Sequence, residues 1–209
     1  MDELAKAQTV GTLAELEALY GRPYGPSLAK EIDHISAEYR AFIEAAPFVV
    51  LATSGAGGLD CTPRGDPRGF VRVVDSRRIL IPDRRGNNRL DSLRNLIEDP
   101  RIAVLFLIPG VNETLRINGR ARILVDAALS ASFAIGDKVP TTVLEITAER
   151  VYFQCAKALI RSKLWAAEAQ VARSALPSSG QILAAITEQA IDAAAYDREA
   201  PERIRQTIY

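Results

Sequence analysis

The pattern of apolar and polar residues along the middle of the chain predicts a series of short β-strands. Residues 48–54, FVVLATS, form an apolar and β-branched run that follows Pro47. The turn sequence GAGG then leads into a second strand near residues 59–63, which should pair with the first as a hairpin. Further strands are predicted over residues 68–74, 79–82, 101–108, 114–125 and 142–154.

The later strands carry additional information in their side-chain patterns. Residues 101–108 are apolar on both faces, which predicts a central strand. Residues 114–125 alternate, with apolar side chains on one face and polar ones, mainly arginines, on the other. In residues 142–154 the apolar phase shifts after Ala148, which predicts a β-bulge near residues 149–150.

Helical spacing of apolar residues separates and flanks these strands. It occurs at residues 12–20, 27–46, 90–97, 126–135, 157–173 and 181–196, whereas the tail PERIRQTIY has no clear pattern. Six to seven mostly antiparallel strands with one inserted helix predict a mainly β (α+β) fold, a split β-barrel with flanking N- and C-terminal helices. A Rossmann domain is not expected, because no alternating parallel pattern carries G-x-G-x-x-G.

The stretch ILIPDRRGNNRLDSLRNLIE, residues 79–98, runs from a strand through a polar turn into a helix. Gly86 suits a tight turn, and Asn88 followed by Asp91 resembles a capping box. A helix N-terminus offers free N–H groups to an anion, and three arginines lie beside it. These arginines are Arg84, Arg85 and Arg89. The spacing fits a phosphate site and equally a solvated turn. It leaves open whether Arg84 or Arg85 faces a ligand.

The charge distribution agrees with an anionic ligand in the middle of the chain. The 209 residues have zero net charge, but residues 1–63 carry four Lys/Arg against nine Asp/Glu. Residues 64–122 carry thirteen arginines, no lysine and seven acids, an excess of six positive charges. Arginine favours oriented, bidentate contacts with phosphate or carboxylate.

Composition narrows the function classes further. Apolar residues make up 48% and charged residues 25%, as in ordinary globular proteins. No apolar run has membrane-spanning length and the first residues, MDELAKAQ, are polar, so we expect a cytoplasmic protein without membrane contact. Cys61 and Cys155 have no metal-ligand spacing, and His34 lies in a helical pattern, so no metal site is expected.

Residues 82–123, PDRRGNNRLDSLRNLIEDPRIAVLFLIPGVNETLRINGRARI, resemble the core of the pyridoxamine 5'-phosphate oxidase-like family of FMN-binding split barrels. TPRGDPRGFV before this run and FQCAKALIRSKLW after it resemble a branch described as FMN-dependent proteins of unknown substrate. The match covers residues 47–165. The resemblance implies FMN as cofactor and a homodimer with two FMN sites at the subunit interface.

The resemblance also implies residues for the FMN phosphate. The family's phosphate-contacting arginine, which precedes the signature turn, best matches Arg68, with Arg64 as the nearby alternative. The last residues of the signature turn grip the phosphate, and their positions hold Asn88 and Arg89, directly after Asn87.

The resemblance also implies residues that contact the flavin ring. Pro82 and Asp83 match the strand end that lies near the isoalloxazine edge. Thr114 matches a flavin contact from the partner subunit, although the usual amide is absent there. Arg116, on the basic face of the same strand, could place positive charge near the flavin N1 and C2 carbonyl, but a solvated strand face would look the same.

The run CAKALIRSKLW needs a separate interpretation. On a helix Lys157, Arg161 and Trp165 share one face, with Ser162 alongside. Such a face could stack an aromatic ring and hold an anion, whereas ordinary amphipathic packing would place Trp165 on the barrel. The C-terminal Arg-x-His-Asp-Arg run of the true oxidase is absent, which argues against vitamin B6 oxidation.

The sequence therefore predicts an FMN-binding flavoprotein, an oxidoreductase that acts on an unidentified small molecule by hydride transfer through flavin N5. The alternatives are a nucleic-acid-binding small barrel, which zero net charge and 6% aromatic residues disfavour, and a split barrel that binds a deazaflavin or heme. Catalytic residues are not identified. The expected organisation is a helical extension (1–46), the barrel (47–155) and C-terminal helices packed on it (156–209).

Overall fold

In a computed structural model, which describes residues 7–209, the chain forms two compact units, residues 7–31 and Ile32–Tyr209. The first unit contains helices α1 (Leu13–Tyr20) and α2 (Gly25–Ala29). Thr12 and Glu15 form a capping box at the start of α1, which confirms the helix predicted at residues 12–20. The predicted domain boundaries stay predictions.

The second unit is built on a seven-stranded antiparallel sheet that remains open, and this confirms the predicted split barrel. The strand order is β2-β1-β5-β6-β7-β4-β3. Strands β2 and β3 are therefore the two ends of the sheet. The strands are β1 (Phe48–Gly55), β2 (Gly58–Gly65), β3 (Arg72–Val73), β4 (Arg78–Asp83), β5 (Arg101–Leu107), β6 (Thr114–Leu124) and β7 (Thr142–Gln154).

The interior of the sheet is filled by its apolar side chains, and the predicted β-bulge is confirmed. Residues on the inner face, such as Ile117 and Ile146, have no exposed surface. The register between β6 and β7 shifts at Asn118 and Gly119, so that Glu149 has no partner. Gly119 is required there, because a Cβ would lie 2.0 Å from the backbone oxygen of Thr147.

Two predicted elements of the N-terminal half are wrong. A single helix was expected over residues 27–46, but α2 ends at Ala29 and α3 begins at Ala37. Between them Ile32 pairs with Val151 of β7 through two backbone hydrogen bonds, so this segment is extended. The strand expected over residues 68–74 shrinks to the two residues of β3, because residues 67–70 form a turn in which Gly69 has a φ of 85°.

The helices of the second unit are α3 (Ala37–Ala45), α4 (Asp91–Glu98), α5 (Ala127–Ala131), α6 (Lys157–Ser162), α7 (Ser179–Ile186) and α8 (Ala193–Thr207). The helix expected over residues 157–173 ends early, because Lys163 adopts a left-handed conformation. The helix expected over 181–196 is two helices, broken where Glu188 and Gln189 have positive φ. Most of the unassigned tail belongs to α8. None of the helices between residues 7 and 209 combines the length and apolar character needed to cross a bilayer.

Helix α4 is fixed on the β1–β2 hairpin, and this sets the position of its N-terminus. Asn95 donates a 3.2 Å hydrogen bond to the hydroxyl of Thr53, and Glu98 accepts one from the backbone of Ala56. Leu96 is buried, but Ile97 is 78% exposed, so the apolar face is narrower than predicted. The start of α4 is consequently held beside β2, where Ser92 donates a 2.8 Å hydrogen bond to Asp60.

Candidate functional site

A cleft of about 1570 Å³ lies where β2, at one end of the open sheet, approaches β4, the strand next to the other end. One wall is strand β2 and the other is the end of β4 with the turn that follows it. Residues 137–142, which lead into β7, and the two residues after α8 complete the lining. The lining comprises residues 60–65, Phe70, residues 82–93, residues 137–142, Ile208 and Tyr209.

Two oppositely arranged ion pairs span this seam between β2 and β4. Arg64 at the end of β2 lies 3.6 Å from Asp83 at the end of β4. Two residues further along, Asp66 accepts a 2.6 Å hydrogen bond from Nε of Arg84. Each strand end thus carries one positive and one negative side chain toward the other, and the charges match.

The Arg64–Asp83 pair is partly shielded from solvent. The side chains of Arg64 and Asp83 are 22% and 17% exposed. Burial raises the pKa of the Asp83 carboxyl, and the Arg64 guanidinium opposes that shift. Arg64 also donates to the hydroxyl of Thr62 at 3.0 Å, which fixes its side chain along β2.

The Arg84–Asp66 pair is the centre of a wider network. The Asp66 side chain has no exposed surface. Its Oδ2 accepts from Arg84, and its Oδ1 accepts from the hydroxyl of Tyr209 at 3.0 Å. Arg84 donates further to the carbonyl of Phe133 at 2.8 Å. Arg84 is therefore neutralised by a buried carboxylate of its own chain.

The other arginines of the turn face the cleft without a buried partner. Arg85 is exposed and makes no hydrogen bond or ion pair within residues 7–209. Arg89 is 73% exposed and donates to the carboxylate of Asp91 at 2.7 Å. Asn87 accepts a 3.1 Å hydrogen bond from the backbone N–H of Arg89, which closes the turn.

The predicted capping box at the start of α4 is wrong. Asn88 has a φ of 61°, and the N-cap residue is Leu90, also left-handed and without a side-chain hydrogen bond. The Asp91 carboxylate pairs with Arg89 instead of the helix amides. No side chain caps the first turn of α4, and the amides there can meet an anion.

The structure brings half of the predicted site residues to the cleft. Those that line it are Arg64, Pro82, Asp83, Arg84, Asn87, Asn88 and Arg89. Arg68 does not line the cleft, because it lies exposed in the turn at residues 67–70. Arg64, at the end of β2, is the arginine that reaches the cleft from this part of the chain.

The remaining predicted residues lie elsewhere in the same chain. On β6, Thr114 is buried and Arg116 donates to the hydroxyl of Tyr152 at 2.9 Å. Trp165 donates to the carbonyl of Val111 at 2.8 Å and lines a separate pocket of about 300 Å³. The residues of α6, Lys157, Arg161 and Ser162, line neither cavity.

Sequence reasoning missed several residues of the cleft and of the hydrogen-bond network around Asp66. Ser92 of α4 donates to Asp60 of β2 at 2.8 Å and so ties the helix start to the wall. The hydroxyl of Thr142 is buried and has no hydrogen-bond partner among the described residues. Asp66 lies two residues after Arg64 in the run TPRGDPRG, and this closeness was a local signal for it. Tyr209 lies in a tail without a sequence pattern, so nothing local indicated its role.

Comparison with known proteins places this architecture in a family. The pyridoxamine 5'-phosphate oxidase family model matches residues 35–155, which is more than half of the chain. The protein therefore belongs to the pyridoxamine 5'-phosphate oxidase family. No curated protein matches the chain.

Several solved structures are similar to part of the chain. HupZ of Group A Streptococcus shares 21% identity with a TM-score of 0.46, over 57% of this chain and 93% of its own. A Clostridium acetobutylicum protein related to general stress protein 26 shares 18% identity with a TM-score of 0.42, over 56% and 85%. The FAD binding protein of Mycobacterium smegmatis shares 14% identity with a TM-score of 0.39, over 59% and 97%.

Proposed function

We propose that the protein is an FMN-binding flavoprotein that holds the cofactor in the cleft between β2 and β4 and acts as an oxidoreductase on a small molecule. The observation that carries the proposal is the uncapped start of α4, with two exposed arginines beside it, in a chain of this family. When bound, the flavin supplies hydride transfer through its N5 atom.

The phosphate is assigned to the turn between β4 and α4. Arg85 has no partner within the described residues, and Arg89 is held only by an exposed ion pair to Asp91. Exposed ion pairs contribute little stability, so a phosphate can take the place of the Asp91 carboxylate at small cost. The amides at the start of α4 add hydrogen-bond donors and the positive end of the helix dipole. Asn87 and Asn88 shape the turn around this site.

Other polar residues of the cleft between β2 and β4 could contact the polar edge of the flavin ring. The buried hydroxyl of Thr142 lacks a hydrogen-bond partner among the described residues, and a polar ligand atom would supply one. Arg64 places positive charge in the cleft, and Asp83 with its raised pKa lies next to it. Positive charge near the N1 edge favours a reduced, anionic ring. The fit of donor set and cleft size therefore supports FMN.

We further propose a homodimer in which a second copy completes each site. The predicted residues outside the cleft of their own chain would serve the cleft of the other. They are Thr114, Arg116, Lys157, Arg161, Ser162 and Trp165. Beside them Ile160 and Leu164 are 58% and 48% exposed, as apolar residues of a face covered by a partner would be in one isolated chain.

The experiment is a flavin analysis of protein purified without added cofactor. We expect a yellow protein that releases FMN on denaturation and a dimeric mass by light scattering. Titration of the flavin-free protein with FMN, riboflavin and FAD should show the strongest binding for FMN. A colourless protein whose spectrum does not change on titration would refute the flavoprotein proposal. Anaerobic incubation of the holoprotein with candidate substrates, followed by flavin bleaching, would identify the substrate class.

A further inference from the structure

The segment after helix α8 reaches into the cleft and is fixed there. Tyr209 lies two residues beyond the end of α8. Its hydroxyl donates a 3.0 Å hydrogen bond to Oδ1 of Asp66. The guanidinium carbon of Arg84 lies 5.6 Å from the centre of the Tyr209 ring.

Asp66 joins Tyr209 to the turn that lines the anion site. Its carboxylate is buried, so each oxygen needs a donor. Tyr209 serves one oxygen, and Nε of Arg84 serves the other at 2.6 Å. Arg84 is followed directly by Arg85 and Gly86 of the turn. The position of the carboxylate therefore sets where the turn leaves β4.

The hydroxyl of Tyr209 stays protonated and so remains a hydrogen-bond donor to Asp66. The hydrogen bond to Asp66 and the charge of that carboxylate raise the pKa of the Tyr209 phenol above its ordinary value. The phenol keeps its proton through neutral and mildly alkaline pH. The contact then persists wherever the protein is folded in this range.

We propose that Tyr209 is a positioning residue of the anion site: by donating to Asp66 it completes the network that holds Arg84, and through Arg84 it fixes the turn at residues 84–89. This inference rests on the proposed function of the turn as the FMN phosphate site. The residue acts through Asp66 and Arg84 and does not itself touch the phosphate.

The test compares Tyr209→Phe with the matched control Tyr196→Phe. Tyr196 lies in α8, and its hydroxyl makes no hydrogen bond within residues 7–209, where its ring packs on Arg203. The first readout is the proton NMR signal of the Arg84 Nε–H in protein without ligand, assigned by its loss in Arg84→Lys. We expect exchange of this proton with water to become about tenfold faster in Tyr209→Phe and to stay unchanged in Tyr196→Phe.

The second readout is FMN affinity. Loss of one hydrogen bond to a charged group corresponds to about a tenfold rise in Kd for FMN, and Tyr196→Phe should leave Kd unchanged. A variant without residues 208–209 should change both readouts in the same direction. An unchanged Arg84 Nε–H signal, or faster exchange with unchanged FMN affinity, would overturn the proposal.

Failure of the two proposals can be distinguished. If the wild-type protein binds no FMN, the proposed function fails, but the exchange of the Arg84 Nε–H still decides whether Tyr209 positions Arg84. If the wild-type protein binds FMN and Tyr209→Phe changes neither readout, only the positioning role fails.

Discussion

Arg64 and Asp83 lie 3.6 Å apart although their strands are separated by four others in the order of the sheet. Strands β2 and β4 share no ladder hydrogen bonds, so side chains alone connect them at the cleft. The split of the barrel and the candidate ligand site are therefore the same feature of the fold.

Removal of Arg64 should make stability more sensitive to pH. Burial already raises the folded-state pKa of Asp83 above its unfolded value, and Arg64 limits that rise. Such a group costs no stability below the unfolded pKa and destabilises the fold as pH rises toward the folded pKa. In Arg64→Ala the folded pKa rises further, so the loss of stability relative to wild type should grow as pH rises above the unfolded pKa of Asp83 toward the raised folded pKa. Urea unfolding at several pH values measures it.

The control for this prediction is the double variant Arg64→Ala/Asp83→Asn. With no ionisable group at position 83, its stability difference from Asp83→Asn alone should be independent of pH in that range. A pH-dependent difference would show that another group is responsible.

The Arg84–Asp66 pair should contribute strongly to stability. Arg84→Ala leaves the buried Asp66 carboxylate without its charged donor, which typically costs about 3–5 kcal/mol. Arg85→Ala, one residue along, removes an exposed side chain and should change the free energy of unfolding by less than about 0.5 kcal/mol. Chemical unfolding of both variants checks the contrast, and equal effects would contradict the assigned roles.

The phosphate assignment predicts a difference between two flavins. Arg89→Ala should raise the Kd for FMN about tenfold or more, the scale of one lost charge-assisted contact, and leave the Kd for riboflavin unchanged. Riboflavin has no phosphate, so it reports on the ring alone. Fluorescence titration with each flavin gives both constants.

A matched control lies in helix α4, directly after the turn that holds Arg89. Arg94 is an exposed arginine of α4 outside the cleft, and Arg94→Ala should leave both constants unchanged. Similar losses of FMN affinity in Arg89→Ala and Arg94→Ala would mean that general positive charge, not the turn, attracts the cofactor.

The bulge between β6 and β7 should not tolerate a side chain at position 119. A Cβ on Gly119 would lie 2.0 Å from the oxygen of Thr147, so the strands must separate, at a cost of about 3 kcal/mol. A Cβ on Gly57 would meet nothing within 4 Å, and Gly57→Ala should be nearly neutral. Thermal unfolding compares the two, and a Gly119→Ala protein as stable as Gly57→Ala would contradict the observed register.

Most of the sheet could be predicted from the sequence because strand patterns are local. The strand at residues 142–154 and its bulge are confirmed, since alternation and its phase shift are properties of neighbouring residues. The errors occur where distant contacts override local spacing. Ile32 sits in a helical pattern but pairs with β7, and Gly69 turns a chain whose side chains alternate like a strand.

The candidate site was only partly predictable for the same reason. Arg84 and Arg85 look equivalent along the chain, and only the buried carboxylate of Asp66 distinguishes them. The partner of Asp66, Tyr209, is 143 residues away in a tail without periodicity. The family pattern located the turn but gave no information on this network.

In the open sheet, the two sides of the cleft are joined by side-chain contacts and not by backbone hydrogen bonds. The backbone ladder runs without a break from β2 to β3, while β2 and β4 meet at the cleft through ionised side chains. A flavin bound in this cleft, as proposed, would exchange a few ionic contacts and would not require any strand to unpair. Added salt screens exposed charges, such as the Arg89–Asp91 pair, far more than the shielded pairs that connect β2 and β4, so those two strands should stay in contact at high ionic strength.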